Sequence, residues 1–325
     1  MQSVPRGPVP AFSLVSPLPP VAEPDTYRYP RYLDAKTTVD ERALNRRVWS
    51  RFVEGLSDRS SPISILEVGG GVGATVQRIV AALEEPSAER LHYTFVDLEA
   101  QNVDRAQDRL RAWARRRGYT VSGGTQQTWS HGPVDVSLRF ITADLFDVAS
   151  TRDRGSFDAV VAQAVLDLLD VPAALRALRP LVRTGGLWYL PIHFDGVTAF
   201  EPRVDSALDA RIERLYHESM TGTPADDTAG VHCGRRLLTQ LPDAGLPLLD
   251  AGSSDWIVRP HEGTYPGDEA YFLHHILHFV EAELSGHPDL DAAAFADWLR
   301  TRRRQIETGE LIYIAHQLDV LARSP

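Results

Sequence analysis

From residue 63 onward, short apolar runs alternate with longer stretches in which apolar positions recur every three to four residues. Short continuous runs read as strands buried on both faces, and the periodic stretches as amphipathic helices laid over them. The pattern predicts strands over 63–68, 91–97, 136–142, 157–163 and 186–194, with helices near 74–84, 99–117 and 172–183. Such alternation is the mark of an α/β fold, a doubly wound and mostly parallel sheet.

The flanking segments follow other rules. Residues 1–30 hold eight of the chain's 22 prolines and no hydrophobic period, which predicts an extended arm. After Tyr27, Tyr29 and Tyr32 a helix-like run begins. Thr38 is placed to cap it, and Val39, Leu44, Val48, Phe52 and Val53 fall roughly on one face. Beyond the core, residues 199–232 are polar and loop-rich around a helical piece at 207–219, and 248–258 is strand-like. Helices are expected at 268–284 and 293–306, and 311–321 reads as a closing edge strand. The expected organisation is therefore an arm and helix (1–60), a sheet core (61–198), an insertion with a sixth strand and a helical cap (199–310), and the edge strand (311–325). The helix 268–284 is too apolar on too many sides to lie free on a surface. It is expected, with 199–232, to close a substrate cavity over the strand ends.

Composition narrows the partners. A chain of 325 residues with 43% hydrophobic positions can bury a full core and still build a second lobe. A net charge of -10 repels a polyanion, so nucleic acid is not an expected substrate. No apolar run approaches the roughly 20 residues of a membrane helix, and no charged n-region with an h-region opens the chain, so a cytoplasmic protein is expected. The single cysteine, Cys233, allows neither an internal disulfide nor a cysteine metal cluster. An extended arm could cross to a second copy in a homodimer.

The most informative segment is Glu67-Val68-Gly69-Gly70-Gly71-Val72-Gly73-Ala74, where a buried strand meets a helix. Glycines there let backbone approach a ligand at a helix N-terminus. Gly69, Gly71 and Ala74 alone would pass as a dinucleotide turn. Glu67 argues otherwise, because a carboxylate two residues before the first glycine opposes a diphosphate and suits a ligand with an ammonium group.

Five segments in order resemble the class I, Rossmann-like S-adenosylmethionine-dependent methyltransferases. Glu67 to Gly73 is similar to the first motif of that family, which implies that Glu67, Gly69, Gly71 and Gly73 hold the methionine part of the cofactor. Asp97 and Leu98 end the second strand, where the family places an acid on the ribose hydroxyls; a carboxylate can accept from both. Asp144 and Leu145 follow the third strand, where the family has an acid near the adenine amine and an apolar neighbour on the ring. Gln163 ends the strand Phe157 to Ala162, facing the cofactor by the same resemblance. Leu178, Pro180, Gly185 and Gly186 resemble the turn into the fifth strand, with Arg183-Thr184 where the family has proline. The resemblance spans 63–194 and implies a methyltransferase acting on a small metabolite at oxygen, nitrogen or carbon. The same fold can also use S-adenosylmethionine for non-methyl chemistry such as cyclisation. A nicotinamide oxidoreductase and a non-catalytic binding protein are weaker alternatives.

Transfer from a sulfonium needs proximity, orientation and a dry site, and a base only where the acceptor must lose a proton. His193, ending the fifth strand, is the candidate base, since free histidine titrates near 6.5. Tyr32 and Lys36, the only lysine in the chain, precede the core where family N-termini fold over the cofactor. Tyr271, His275 and His278 are candidates for the acceptor wall. His274, His278 and Glu281 share a helix face at metal-like spacing, but no fourth group accompanies them, so no metal is expected.

Overall fold

The computed structural model describes residues 22–59, 62–83, 90–220 and 230–325. The arm expected over 1–30 therefore lies largely outside the described residues. Among the described residues, ten strands form one sheet: β1 (Ile63–Val68), β2 (Arg90–Asp97), β3 (Thr120–Gly123), β4 (Gln126–His131), β5 (Val134–Thr142), β6 (Phe157–Ala162), β7 (Val182–Glu201), β8 (Leu248–Ser253), β9 (Trp256–Val258) and β10 (Ile312–Arg323). Their order is β3-β4-β5-β2-β1-β6-β7-β10-β8, with β9 also on β10. The five strands β5, β2, β1, β6 and β7 are parallel, and antiparallel strands flank them on both sides.

The central strands β1 and β6 are almost wholly buried, with Phe157–Ala162 covered on both faces, whereas β5 alternates buried and exposed positions. That is why β1 and β6 read as continuous apolar runs. The chain leaves β1 towards β2 and β5, then returns to β6 on the other side of β1. The strand ends diverge there, and open α/β sheets bind ligands at this point.

The helices are α1 (Tyr29–Ala43), α2 (Arg46–Ser57), α3 (Ala74–Leu83), α4 (Ala100–Arg116), α5 (Leu145–Thr151), α6 (Val171–Leu178), α7 (Ser206–Ser219), α8 (Cys233–Asp243), α9 (Glu269–Leu284) and α10 (Ala292–Glu307). Three expectations need correction. The single helix capped by Thr38 is two helices. Asn45 caps α2 by accepting from the Val48 N–H at 3.2 Å, while Thr38 sits inside α1 and donates to Glu269 at 2.7 Å. The closing strand is not an edge, because β10 lies between β7 and β8. Strand-like 248–258 is broken into β8 and β9. The hairpin β3–β4 and the short helix α5 carried too little periodicity to be expected, whereas α8 was passed over although Cys233, Leu237 and Leu241 recur every four residues on its buried face.

Candidate functional site

A cavity of about 850 Å³ opens at the C-terminal ends of β1 and β6. Its floor is the turn after β1, where Gly69, Gly71 and Gly73 all have positive φ, at 65°, 56° and 77°. A Cβ on Gly71 would project towards α1, which covers this side of the cavity as a lid, 3.4 Å from Leu33. Gly73 instead packs on Leu110, which a Cβ would meet at 2.7 Å, and it is not among the described lining residues. Its lack of a side chain lets the turn pack on Leu110.

Glu67 lines the cavity yet is 1% exposed. Burial pushes its carboxyl up to about 7, while hydrogen bonds from Tyr93 and Thr75 and the charge of Arg78 pull it back. The Tyr93 hydroxyl donates to it at 2.9 Å. No cation pairs with it among the described residues. Such a carboxyl gains from an incoming ammonium group, which would favour its charged form.

Asp97 accepts from the N–H groups of Gly71 at 2.8 Å and Glu99 at 2.9 Å, and from the Asn102 amide at 3.1 Å. It thus ties the end of β2 to the glycine turn. Asp144 caps α5 by accepting from the Phe146 N–H at 2.7 Å, and also lines the cavity. A cap uses one carboxylate oxygen and leaves the other to face a ligand. Leu98 and Leu145 line the same end.

The opposite wall is α1, which presents Tyr32, Lys36 and Asp40 one turn apart on one face. Asp40 is a hub. It accepts from Lys36 Nζ at 2.7 Å, from Gln163 Nε2 at 2.9 Å and from the Trp256 indole N–H at 2.9 Å. Gln163 in turn accepts from Thr75 at 3.1 Å and Arg78 at 3.3 Å. One hydrogen-bonded chain therefore runs from α1 through the end of β6 to α3.

The expected cap forms differently. α9 contributes Phe279 to the cavity and otherwise holds α1 from behind. Arg42 makes two bonds to the fully buried Glu269, at 2.5 and 2.7 Å, and Arg31 pairs with Asp268 at 2.9 Å. Tyr271 accepts from the Arg28 N–H at 2.7 Å, and His275 stacks on Tyr32 with centroids 4.7 Å apart. Desolvation pushes His275 down to about 4, with His278 adding to the shift. His278 stacks on Tyr27 at 4.1 Å, and Glu281 pairs with Arg303. Tyr271, His275 and His278 thus support the lid and are not among the described lining residues. The same holds for the described part of 199–232, where α7 packs on α9; residues 221–229 lie outside the described residues.

His193 also departs from expectation. It is fully buried, and its Nε2 lies 3.1 Å from the Ala162 carbonyl, beneath the strand ends rather than in the cavity. Asp40, Trp256 and Asp167 line the cavity although the sequence pattern did not single them out. Asp40 was legible in principle, as a carboxylate four residues after Lys36 on a helix. Trp256 had no such signal.

Residues 66–188 match the family model described as a methyltransferase domain. No curated protein matches the chain in sequence. Among solved structures, a candidate type II methyltransferase from Anaeromyxobacter dehalogenans is 17% identical, covering 85% of this chain and 95% of its own, with a TM-score of 0.48. A candidate methyltransferase from Bacillus halodurans C-125 is 12% identical, covering 85% and 98%, at 0.47. The [4+2]-cyclase SpnF is 16% identical, covering 91% and 94%, at 0.42. Residues 66–188 of this chain therefore carry a methyltransferase domain.

Proposed function

We propose that the enzyme methylates a small metabolite held between the glycine turn and α1. The observation that carries this reading is the cavity itself: two carboxylates on fixed strand ends, Glu67 and Asp97, face a separate polar wall built from α1 and Trp256. A volume of about 850 Å³ is on the scale of small-molecule sites, and the net charge of -10 disfavours nucleic acid.

When bound, S-adenosylmethionine supplies an electrophilic methyl group on a sulfonium. Glu67 would accept from its ammonium, with Gly69 and Gly71 giving close backbone approach. Asp97 would accept from the ribose hydroxyls, and Leu98, Asp144 and Leu145 would enclose the adenine. Gln163, held by Thr75, Arg78 and Asp40, would orient the reacting end. Tyr32 and Lys36 would face the acceptor. Lys36 suits an acceptor with an anionic or carbonyl oxygen, since its ammonium has three donors and Asp40 takes one. Closing α1 over the cavity would exclude water.

Calorimetry with S-adenosylmethionine, S-adenosylhomocysteine and NAD tests the reading. Binding of the first two and not of NAD is expected; binding of NAD alone would overturn it. Release of S-adenosylhomocysteine during turnover separates methyl transfer from cyclisation, which does not form it.

A further inference from the structure

His193 carries an unresolved contact. Its Nε2 faces the Ala162 carbonyl at 3.1 Å, which only an Nε2–H can satisfy. Its Nδ1 is buried without a hydrogen-bond partner and lies 3.9 Å from Oδ1 of Asp167. That oxygen is also buried and unpartnered. With a single ring proton, two acceptors oppose each other in a dry place. The contact therefore has a place for one further proton, which the two groups would share.

The backbone around this contact is strained on both sides. Ile192, immediately before His193, has φ of 60°, and a β-branched residue seldom adopts that conformation. Its N–H is held by the buried Asp319 carboxylate at 2.8 Å, at the bulge where β10 shifts register against β7. Ala164, after Gln163, has φ of 49° and is tied to the Pro191 carbonyl at 3.1 Å. These bends set the His193 ring under the end of β6 and carry the chain on to Asp167, which lines the cavity.

We infer that Asp167 and His193 form a proton-accepting pair, in which Asp167 is the catalytic base facing the methyl acceptor and His193 is its positioning residue. The inference rests on the methyl-transfer reading and narrows it to acceptors whose reacting oxygen, nitrogen or carbon carries a proton. As the new bond to the methyl carbon forms, the pair of electrons in the S–CH3 bond stays on sulfur. The acceptor's proton passes to the Asp167 carboxylate and is shared with His193 Nδ1. The carboxylate then stabilises the imidazolium that forms. Other groups set the field around the pair: Asp319 on β10 acts on His193, and the Cys233 thiol on α8 and Tyr29 on α1 lie near Asp167.

Ring 15N shifts of histidine, followed against pH, report directly whether Nδ1 carries a proton. Loss of one signal in His193→Asn assigns it. The midpoint for His193 Nδ1 is expected to fall in Asp167→Asn, because the neighbouring negative charge that would hold its proton is gone. Asp167→Ser gives the same answer should the first variant fold poorly. The midpoint should also lie lower with S-adenosylmethionine bound than with S-adenosylhomocysteine, because only the first places a cation at the reacting centre. An unchanged midpoint in both Asp167 variants overturns the pair. A midpoint indifferent to the two ligands overturns its role as base. If neither ligand binds in calorimetry, the methyl-transfer reading fails, and the Asp167 variants still decide whether the pair exists.

Discussion

Lys36 Nζ lies 2.7 Å from Oδ2 of Asp40, one turn along α1, and the two side chains are 10% and 4% exposed. The ammonium also sits 5.1 Å from the Trp256 ring centroid. Removing two charges from water is unfavourable unless each remains paired, so this pair fixes geometry more than it adds stability. It fixes where α1 lies over the cavity, through the bonds of Asp40 to Gln163 and Trp256.

The two halves of the pair should behave unequally. Asp40→Ala strands a buried ammonium and two N–H donors, and is expected to destabilise the fold by about 3–5 kcal/mol. Lys36→Met is expected to be milder, since Asp40 keeps its bonds from Gln163 and Trp256. Urea denaturation of both variants measures the order; a larger loss for Lys36→Met would contradict it.

Glu67 is expected to link cofactor binding to pH. Its carboxyl lies at about 7 in the folded chain against 4.5 ordinarily. Between those values the folded state keeps a proton that the unfolded state has released, so stability falls as pH rises through this window. Glu67→Gln should remove that fall. An ammonium beside Glu67 favours the carboxylate, so cofactor binding near pH 6 should release a proton. Titrations in buffers of different ionisation heat detect it, and the release should be absent in Glu67→Gln.

Asp97→Ala is expected to weaken cofactor binding by about 1–3 kcal/mol, the usual scale for charge-assisted hydrogen bonds. The loss has a second source here, because Asp97 holds the Gly71 N–H and so shapes the turn. Thermal melts with and without S-adenosylhomocysteine should show a smaller ligand-induced shift. An unchanged shift would place the ribose acid elsewhere, with Glu99 the next residue to test.

His275 should make the lid sensitive to acid. It lies at about 4 in the folded chain against 6.5 ordinarily, so the unfolded chain gains a proton first as pH falls. Stability is then complete above pH 6.5 and declines towards pH 4. His275→Phe keeps the stack on Tyr32 and should flatten that decline in melts taken across the range. A decline that survives the substitution would assign it to other groups.

The sequence by itself determined the parallel core and which candidate residues stand at the C-terminal ends of its strands. Strands buried on both faces leave continuous apolar runs, and the turn after β1 needs glycines at positive φ. Glu67 and Asp97 stand at the ends of β1 and β2, and Asp144 and Gln163 just after β5 and β6, so finding the strands was enough to bring them to one end of the sheet. Tertiary structure decided the other wall. Whether Lys36 meets Asp40, Gln163 and Trp256 depends on how α1 docks, and α1 is placed by Arg42, Thr38 and Arg31 on α9, more than 200 residues away. His193 shows the same limit. Its position at a strand end was legible, but the strained bend at Ile192 and the bulge at Asp319 turn its ring beneath β6, and no local pattern encodes a bend imposed by a neighbouring strand.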